Sequence, residues 1–196
     1  MGQLKALLPW RGRTLLEHQL HALREGGADR VVVVLGHRAE ELRPLLEGKE
    51  GVSWTLNPDY RQGKTTSIKA GLSALPSSLP LEGEGQGGGE IVRDIILLNV
   101  DQPRSPADIA RILDAHRARH CAVTVPEYNG KGGHPIVLSA SLLPELREID
   151  EESQGIKAVV RRRAESVQRL PLDNPEVLLD LNTPEQYRAA MEASGA

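Results

Sequence analysis

Apolar residues fall along the chain in two kinds of block: unbroken runs, and stripes spaced three or four apart. The runs are short and rich in Val, Ile and Leu, as strands buried on both faces are. They predict strands at Val31–Leu35, Val52–Leu56 and residues 95–100, then at 121–125, 136–138, 167–170 and 177–179. The stripes predict helices between them. Thr14-Leu15-Leu16-Glu17 is a capping box, so a helix starts there with Leu16, Leu20 and Leu23 on one face, and Gly26-Gly27 ends it. Further helices are expected from Gly36-His37 to about Glu47, over 64–75, from Ser105-Pro106 to about Arg119, and over 142–148 and 156–163. Pro184, placed in a first helical turn, opens the last one. Alternating strands and helices imply an α/β fold, a largely parallel sheet between helical layers.

The run at 95–100 ends in Asp101-Gln102-Pro103. Proline cannot donate to a ladder, so the strand is expected to stop near Asp101. Ligands of open α/β sheets bind beyond the carboxyl ends of the strands, and a carboxylate there suits a hard cation such as Mg²⁺ with phosphates as co-ligands. The plainer alternative is an aspartate capping the next turn.

Other polar clusters carry a chemical and a plain reading side by side. Gly63-Lys64-Thr65-Thr66-Ser67 opens a predicted helix, offering N–H groups to an anion or a base edge, or simply an N-cap through Thr65 or Thr66. Gly130-Lys131-Gly132-Gly133-His134-Pro135 allows close backbone approach, with His134 a donor to substrate oxygen or a structural histidine. Asp180-Leu181-Asn182-Thr183-Pro184 presents two oxygen ligands at alternate positions, or an Asn or Thr cap to the last helix. Arg161-Arg162-Arg163 reads as a solvated helix face.

Composition narrows the choices. The 196 residues suit one domain, residues 1–196, and the segment 76–90 with its Gly-Gln-Gly-Gly-Gly centre is expected to be a flexible surface loop. A net charge of −3 and only five aromatic residues argue against nucleic acid and anionic membrane as partners. The single cysteine, Cys121, allows no internal disulfide and fits a reducing cytoplasm. No metal-binding Cys/His cluster and no Ser-His-Asp arrangement is evident.

Taken in order, Lys5-Ala6-Leu7-Leu8-Pro9-Trp10 with Gly12, Gly36-His37, Asn57-Pro58 with Tyr60 and Gly63, Ser67 with Gly71-Leu72, Asp101-Gln102-Pro103, Gly133-His134-Pro135 and residues 180–184 resemble one family along nearly the whole chain. The resemblance is to the MobA-like NTP transferases, nearest to molybdenum cofactor cytidylyltransferases. It implies a Rossmann-like nucleotidyltransferase fold and Mg²⁺-dependent transfer of a nucleotidyl group from an NTP, with pyrophosphate released. It implies CTP as the favoured donor, with GTP the alternative, and a phosphorylated acceptor such as molybdopterin; an acceptor oxidoreductase as partner stays open. By resemblance, Lys5 and Asp101 are catalytic. Asn57, Gly63 and Ser67 join them in binding nucleotide, Gln102, Gly133 and His134 line the acceptor side, and Asp101, Asp180 and Asn182 hold the metal. Sugar-phosphate transfer and a non-catalytic nucleotide-binding role are the rival readings.

The resemblance also implies a first strand and a glycine-rich phosphate loop ahead of Lys5, and Met1-Gly2-Gln3-Leu4 starts inside that motif. The expectation is therefore that Met1 is not the natural start. The missing strand is expected to lie between those at Val31–Leu35 and 95–100, leaving backbone groups facing a gap.

Overall fold

The structure is a computed structural model that describes residues 4–75 and 92–194. The predicted loop at 76–90 lies outside the described residues. Its first strands, β1 (Pro9–Trp10) and β2 (Arg13–Thr14), form a small hairpin around the Arg11-Gly12 turn. Helix α1 (Leu15–Glu25) follows with the predicted capping box intact: Thr14 Oγ1 accepts from Glu17 N–H, and the Glu17 carboxylate accepts from Thr14 N–H. Leu16 and Leu20 of its stripe are buried.

β3 (Val31–Leu35) and β4 (Val52–Leu56) occupy the predicted residues and pair in parallel, Val31 beside Val52. Between them α2 is only Ala39–Leu42, followed by a 3₁₀ turn over Arg43–Leu45, shorter than expected because Pro44 cannot continue an α-helical ladder. α3 (Lys64–Ser73) then leads into the undescribed segment.

β5 (Asp94–Leu97) is shorter than the run that predicted it. Residues 98–101 leave the ladder, and Gln102 N–H donates to Asn99 O at 3.1 Å, closing a turn that lifts Asp101 off the strand. α4 (Pro106–Arg119) starts as predicted on a Ser105 cap. β6 (Val123–Tyr128), β7 (Lys131–Gly132) and β8 (Ile136–Ser139) follow, then α5 (Leu143–Arg147), α6 (Ile156–Arg162), β9 (Val167–Pro171) and α7 (Pro184–Ser194). The strand expected at 177–179 is instead a 3₁₀ turn, Pro175–Leu178, capped by the Asn174 side chain with proline at its first position.

The α/β class stands, and the strand pairing is mixed. β6 pairs in parallel with β9 but antiparallel with β8 and β7, and β8 pairs antiparallel with β5. β3 and β4 form a separate parallel pair. Between the two sheets runs an open cleft of about 2120 Å³, lined by consecutive residues of both β3 and β5. Successive residues of a strand point to opposite faces, so lining by consecutive residues means that both strands turn an edge toward the cleft. Val31 N–H goes to Gly51 O and Leu35 O accepts from Asn57 N–H, which aims the alternate groups of Val32 and Val34 into the cleft. Arg93 O accepts from Ala140 N–H, and the same alternation aims the Ile96 groups there from the other side.

Candidate functional site

Asp101, in the turn beyond β5, receives the Lys5 ammonium on Oδ2 at 2.8 Å. The same ammonium reaches Asn182 Oδ1 at 3.2 Å, so one positive charge joins residues from the start, the middle and the end of the chain. Leu181 N–H donates to Asp101 O at 2.8 Å, and the Leu181 side chain is buried with Leu8, Trp10 and Leu15. That small core fixes the spacing between the Asp101 turn and residues 180–182. Thr183 Oγ1 caps α7 through Gln186 N–H, leaving the cap role to Thr183 while Asn182 faces Lys5.

His134 is held through its backbone. Its N–H donates to Val177 O at 2.9 Å and its carbonyl accepts from Arg104 Nε at 2.8 Å. Burial holds the imidazole below its usual pKa and the Arg104 charge pushes the same way, opposed by Asp180 and Asp101. A neutral ring at pH 7 offers one N–H donor and no proton reservoir. Gly133 has to be glycine: a Cβ there would lie 2.2 Å from Val177 O. Gln102 is almost fully buried, and its side-chain oxygen accepts from Asn99 N–H and Asn99 Nδ2, so its amide holds the turn.

Asn57, Gly63 and Ser67 form a second group. Asn57 Nδ2 donates to Thr66 Oγ1 and Ser67 Oγ, both at 2.9 Å, tying the end of β4 to α3. Neither Thr65 nor Thr66 caps α3. Instead Glu151 Oε1 accepts from Thr65 N–H at 2.7 Å and from Thr65 Oγ1 at 3.0 Å, and these bonds hold its carboxyl below the usual range. The chain's own carboxylate thus sits where the sequence offered an anion site. Gly63, at φ +121°, makes room for it, since a Cβ would meet Glu151 Oε1 at 2.3 Å.

Ser67, Gln102, Gly133, His134 and Asp180 all line the one cleft, and Asp101 lies between Val100 and Gln102, which also line it. Asn57 and Gly63 do not line it themselves; Asn57 bonds the cleft-lining Ser67, and Gly63 precedes the cleft-lining Lys64. Among the described residues no group of three or more His, Cys, Asp or Glu side chains gathers as a metal set. The oxygens of Asp101 and Asn182 nevertheless fit a hard cation, for they already hold the Lys5 charge between them. Arg161, Arg162 and Arg163 are exposed, with Arg162 and Arg163 on Glu145, as a solvated face would be.

Three contributors had no signal in the sequence. Arg104 reaches carbonyls 30 or more positions away besides that of Pro103, Glu151 bonds Thr65 86 positions away, and Gln19 bridges to Asn99 O and Gln102 O from α1.

Comparison with known proteins identifies the family. Residues 1–167 match the model of the MobA-like NTP transferase domain. Molybdenum cofactor cytidylyltransferase of Escherichia coli (strain K12) is 28% identical over 98% of this chain and 89% of its own length. Nicotine blue oxidoreductase of Paenarthrobacter nicotinovorans is 30% identical, over 94% of this chain and 86% of its own. Among solved structures, Rv0371c of Mycobacterium tuberculosis H37Rv superposes with a TM-score of 0.76 at 27% identity, covering 98% of this chain and 90% of that one. The same protein has also been solved as a complex with manganese, which superposes at 0.72. The chain is therefore a nucleotidyltransferase belonging to the MobA-like NTP transferase family.

Proposed function

We propose that this protein transfers a cytidylyl group from CTP, in preference to GTP, to the phosphate of a small acceptor of the molybdopterin kind, releasing pyrophosphate. The observation that carries this reading is the shared cation position of Lys5, Asp101 and Asn182, at the carboxyl side of β5. An oxygen of the acceptor phosphate attacks the α-phosphorus of the NTP, and the bond from that phosphorus to the bridging oxygen breaks. Pyrophosphate leaves with the electron pair, so no protein nucleophile is needed. Lys5 supplies positive charge to the phosphates, in a reaction whose protein contribution is positioning and charge neutralisation. A divalent cation, held by Asp101 and Asn182 with Asp180 nearby, would neutralise phosphate charge; the manganese complex of Rv0371c supports a divalent metal in this fold. Ser67 and Gly63 face the base side of the cleft, and Gly133 with neutral His134 the acceptor side. Residues 1–196 act in this reading as one nucleotidyltransferase-like domain.

The test is pyrophosphate release from CTP and GTP, each with Mg²⁺ or Mn²⁺, against molybdopterin and a panel of sugar phosphates. CTP with molybdopterin is expected to give the highest kcat/KM. Equal or greater kcat/KM with GTP overturns the base assignment, a sugar phosphate as best acceptor overturns the acceptor, and no release with any pair overturns the transferase reading.

A further inference from the structure

Arg104 is 1% exposed and, among the described residues, pairs with no carboxylate at hydrogen-bond distance. All five guanidinium N–H donors are nevertheless placed, each on a backbone carbonyl. Nε donates to His134 O at 2.8 Å, Nη1 to Pro103 O at 2.8 Å and Leu179 O at 3.1 Å, and Nη2 to Val177 O at 2.8 Å and Leu179 O at 3.1 Å. These four carbonyls lie on the three segments that carry the site. Pro103 follows the Asp101 turn, His134 is the acceptor-side loop, and Leu179 immediately precedes Asp180. The arginine's own backbone is held too: its N–H donates to Gln19 Oε1 at 3.3 Å, and its carbonyl meets His18 Nε2 at 3.0 Å.

Burying a guanidinium among carbonyls is expensive, and burial lowers its pKa to about 10 against the opposing pull of Asp108, Glu176 and Asp180. The group stays charged at pH 7. A buried cation retained without a partner anion is a poor way to gain stability, since apolar packing of the same volume often does as well. It does offer what apolar packing cannot, a rigid planar fork that sets three loops at fixed distances from one another.

We propose that Arg104 is the positioning residue of this site: it holds Asp101, His134 and Asp180 in register by bonding the backbone of the segments that bear them. It touches neither nucleotide nor acceptor. The proposal rests on the nucleotidyl-transfer reading for its consequence in turnover, and on geometry alone for its consequence in the loops.

Arg104→Lys keeps the charge but replaces the fork by one ammonium, which cannot span the four carbonyls. The first measurement is amide hydrogen exchange on wild type and Arg104→Lys. Exchange at His134 and Leu181, whose N–H groups bond Val177 O and Asp101 O, is expected to speed up at least tenfold, with Ile109, Ile112 and Leu113 of α4 unchanged. Unchanged exchange at His134 and Leu181, or the same acceleration across α4, overturns the proposal whatever the protein catalyses. The second measurement is pyrophosphate release from CTP by Arg104→Lys and Arg104→Ala. Loss of about 10–100-fold, in the range seen when groups behind metal ligands are removed, is expected in kcat with KM for CTP little changed. Ethylguanidinium is expected to restore rate to Arg104→Ala with saturation, and ethylammonium to have no effect. Equal rescue by both cations, or a loss confined to KM, overturns it. If Arg104→Ala does not fold, Arg104→Lys decides by the same kcat and KM criterion. Wild type that releases no pyrophosphate counts against the transferase reading, and the exchange result still decides the positioning role.

Discussion

The backbone oxygen of Val177 is the most exposed point of this architecture to a single methyl group. It accepts from His134 N–H at 2.9 Å and from Arg104 Nη2 at 2.8 Å. In Gly133→Ala the new Cβ would lie 2.2 Å from that oxygen and 2.8 Å from its carbon. Ordinary contact begins beyond 3 Å, so the Val177 carbonyl must retreat by about 1 Å. Both hydrogen bonds then pass out of range. A neutral bond contributes about 1 kcal/mol and one from a charged donor about 1.5–3 kcal/mol, so the loss is roughly 2.5–4 kcal/mol. In a chain of this length that lowers Tm by roughly 5–16 °C. Gly132→Ala is the control: its Cβ would meet only side-chain atoms, Val125 Cγ1 at 3.2 Å and Arg169 Nη1 at 3.4 Å. Those atoms can shift, so its cost is expected within about 0.5 kcal/mol. Thermal unfolding followed by circular dichroism compares the two. Combining Gly133→Ala with Arg104→Lys should cost less than the sum of the two, because both act through Val177 O. A Gly133→Ala midpoint within 2 °C of wild type, or equal to that of Gly132→Ala, refutes the reasoning.

Two further outcomes follow from the same structure. His18, His116 and His134 are all held below their usual pKa chiefly by burial. The unfolded chain therefore binds more protons than the folded one once pH falls toward about 6.5, and stability is lost from there downward; Tm is expected to fall between pH 7.5 and 5.5, and a flat or rising Tm contradicts this. The cleft between the sheets predicts alternating hydrogen exchange, with Val32, Val34 and Ile96 fast and Val33, Leu35 and Ile95 slow; uniform protection along β3 would mean that its second edge is paired.

Much of this was readable wherever local chemistry decides the outcome. The Thr14–Glu17 capping box, the Ser105-Pro106 start of α4 and the Val31–Leu35 run each specify their element within a few residues, and the structure has all three in place. Where a distant partner decides, the sequence pattern misleads or is silent. The apolar run at 95–100 looks like one strand, but Gln102 folds its amide back on Asn99 and ends the ladder early. Residues 177–179 are apolar enough for a strand, yet Asn174 and Pro175 start a 3₁₀ turn just before them. Pairing order has no local signature either, so β8 entering antiparallel between β5 and β6 could be learned only from the fold. In the site, Asp101 was legible as a carboxylate at a strand end, and Lys5 only through the family resemblance. The placement of Glu151 on α3 and of Arg104 among carbonyls was not, because hydrogen bonds made with the backbone leave no spacing to read.

The central claim is that Asp101, with Lys5 and Asn182 around it, carries charge neutralisation for nucleotidyl transfer. Asp101→Asn changes little volume and removes the charge that the proposed reaction would use to hold a divalent cation. The decisive measurement is pyrophosphate release from CTP with the phosphorylated acceptor, titrated with Mg²⁺, on wild type and Asp101→Asn with matched thermal midpoints. The account predicts that wild type turns over and that the variant loses turnover by at least a hundredfold at limiting Mg²⁺. Near-normal turnover by Asp101→Asn at limiting Mg²⁺ would contradict it.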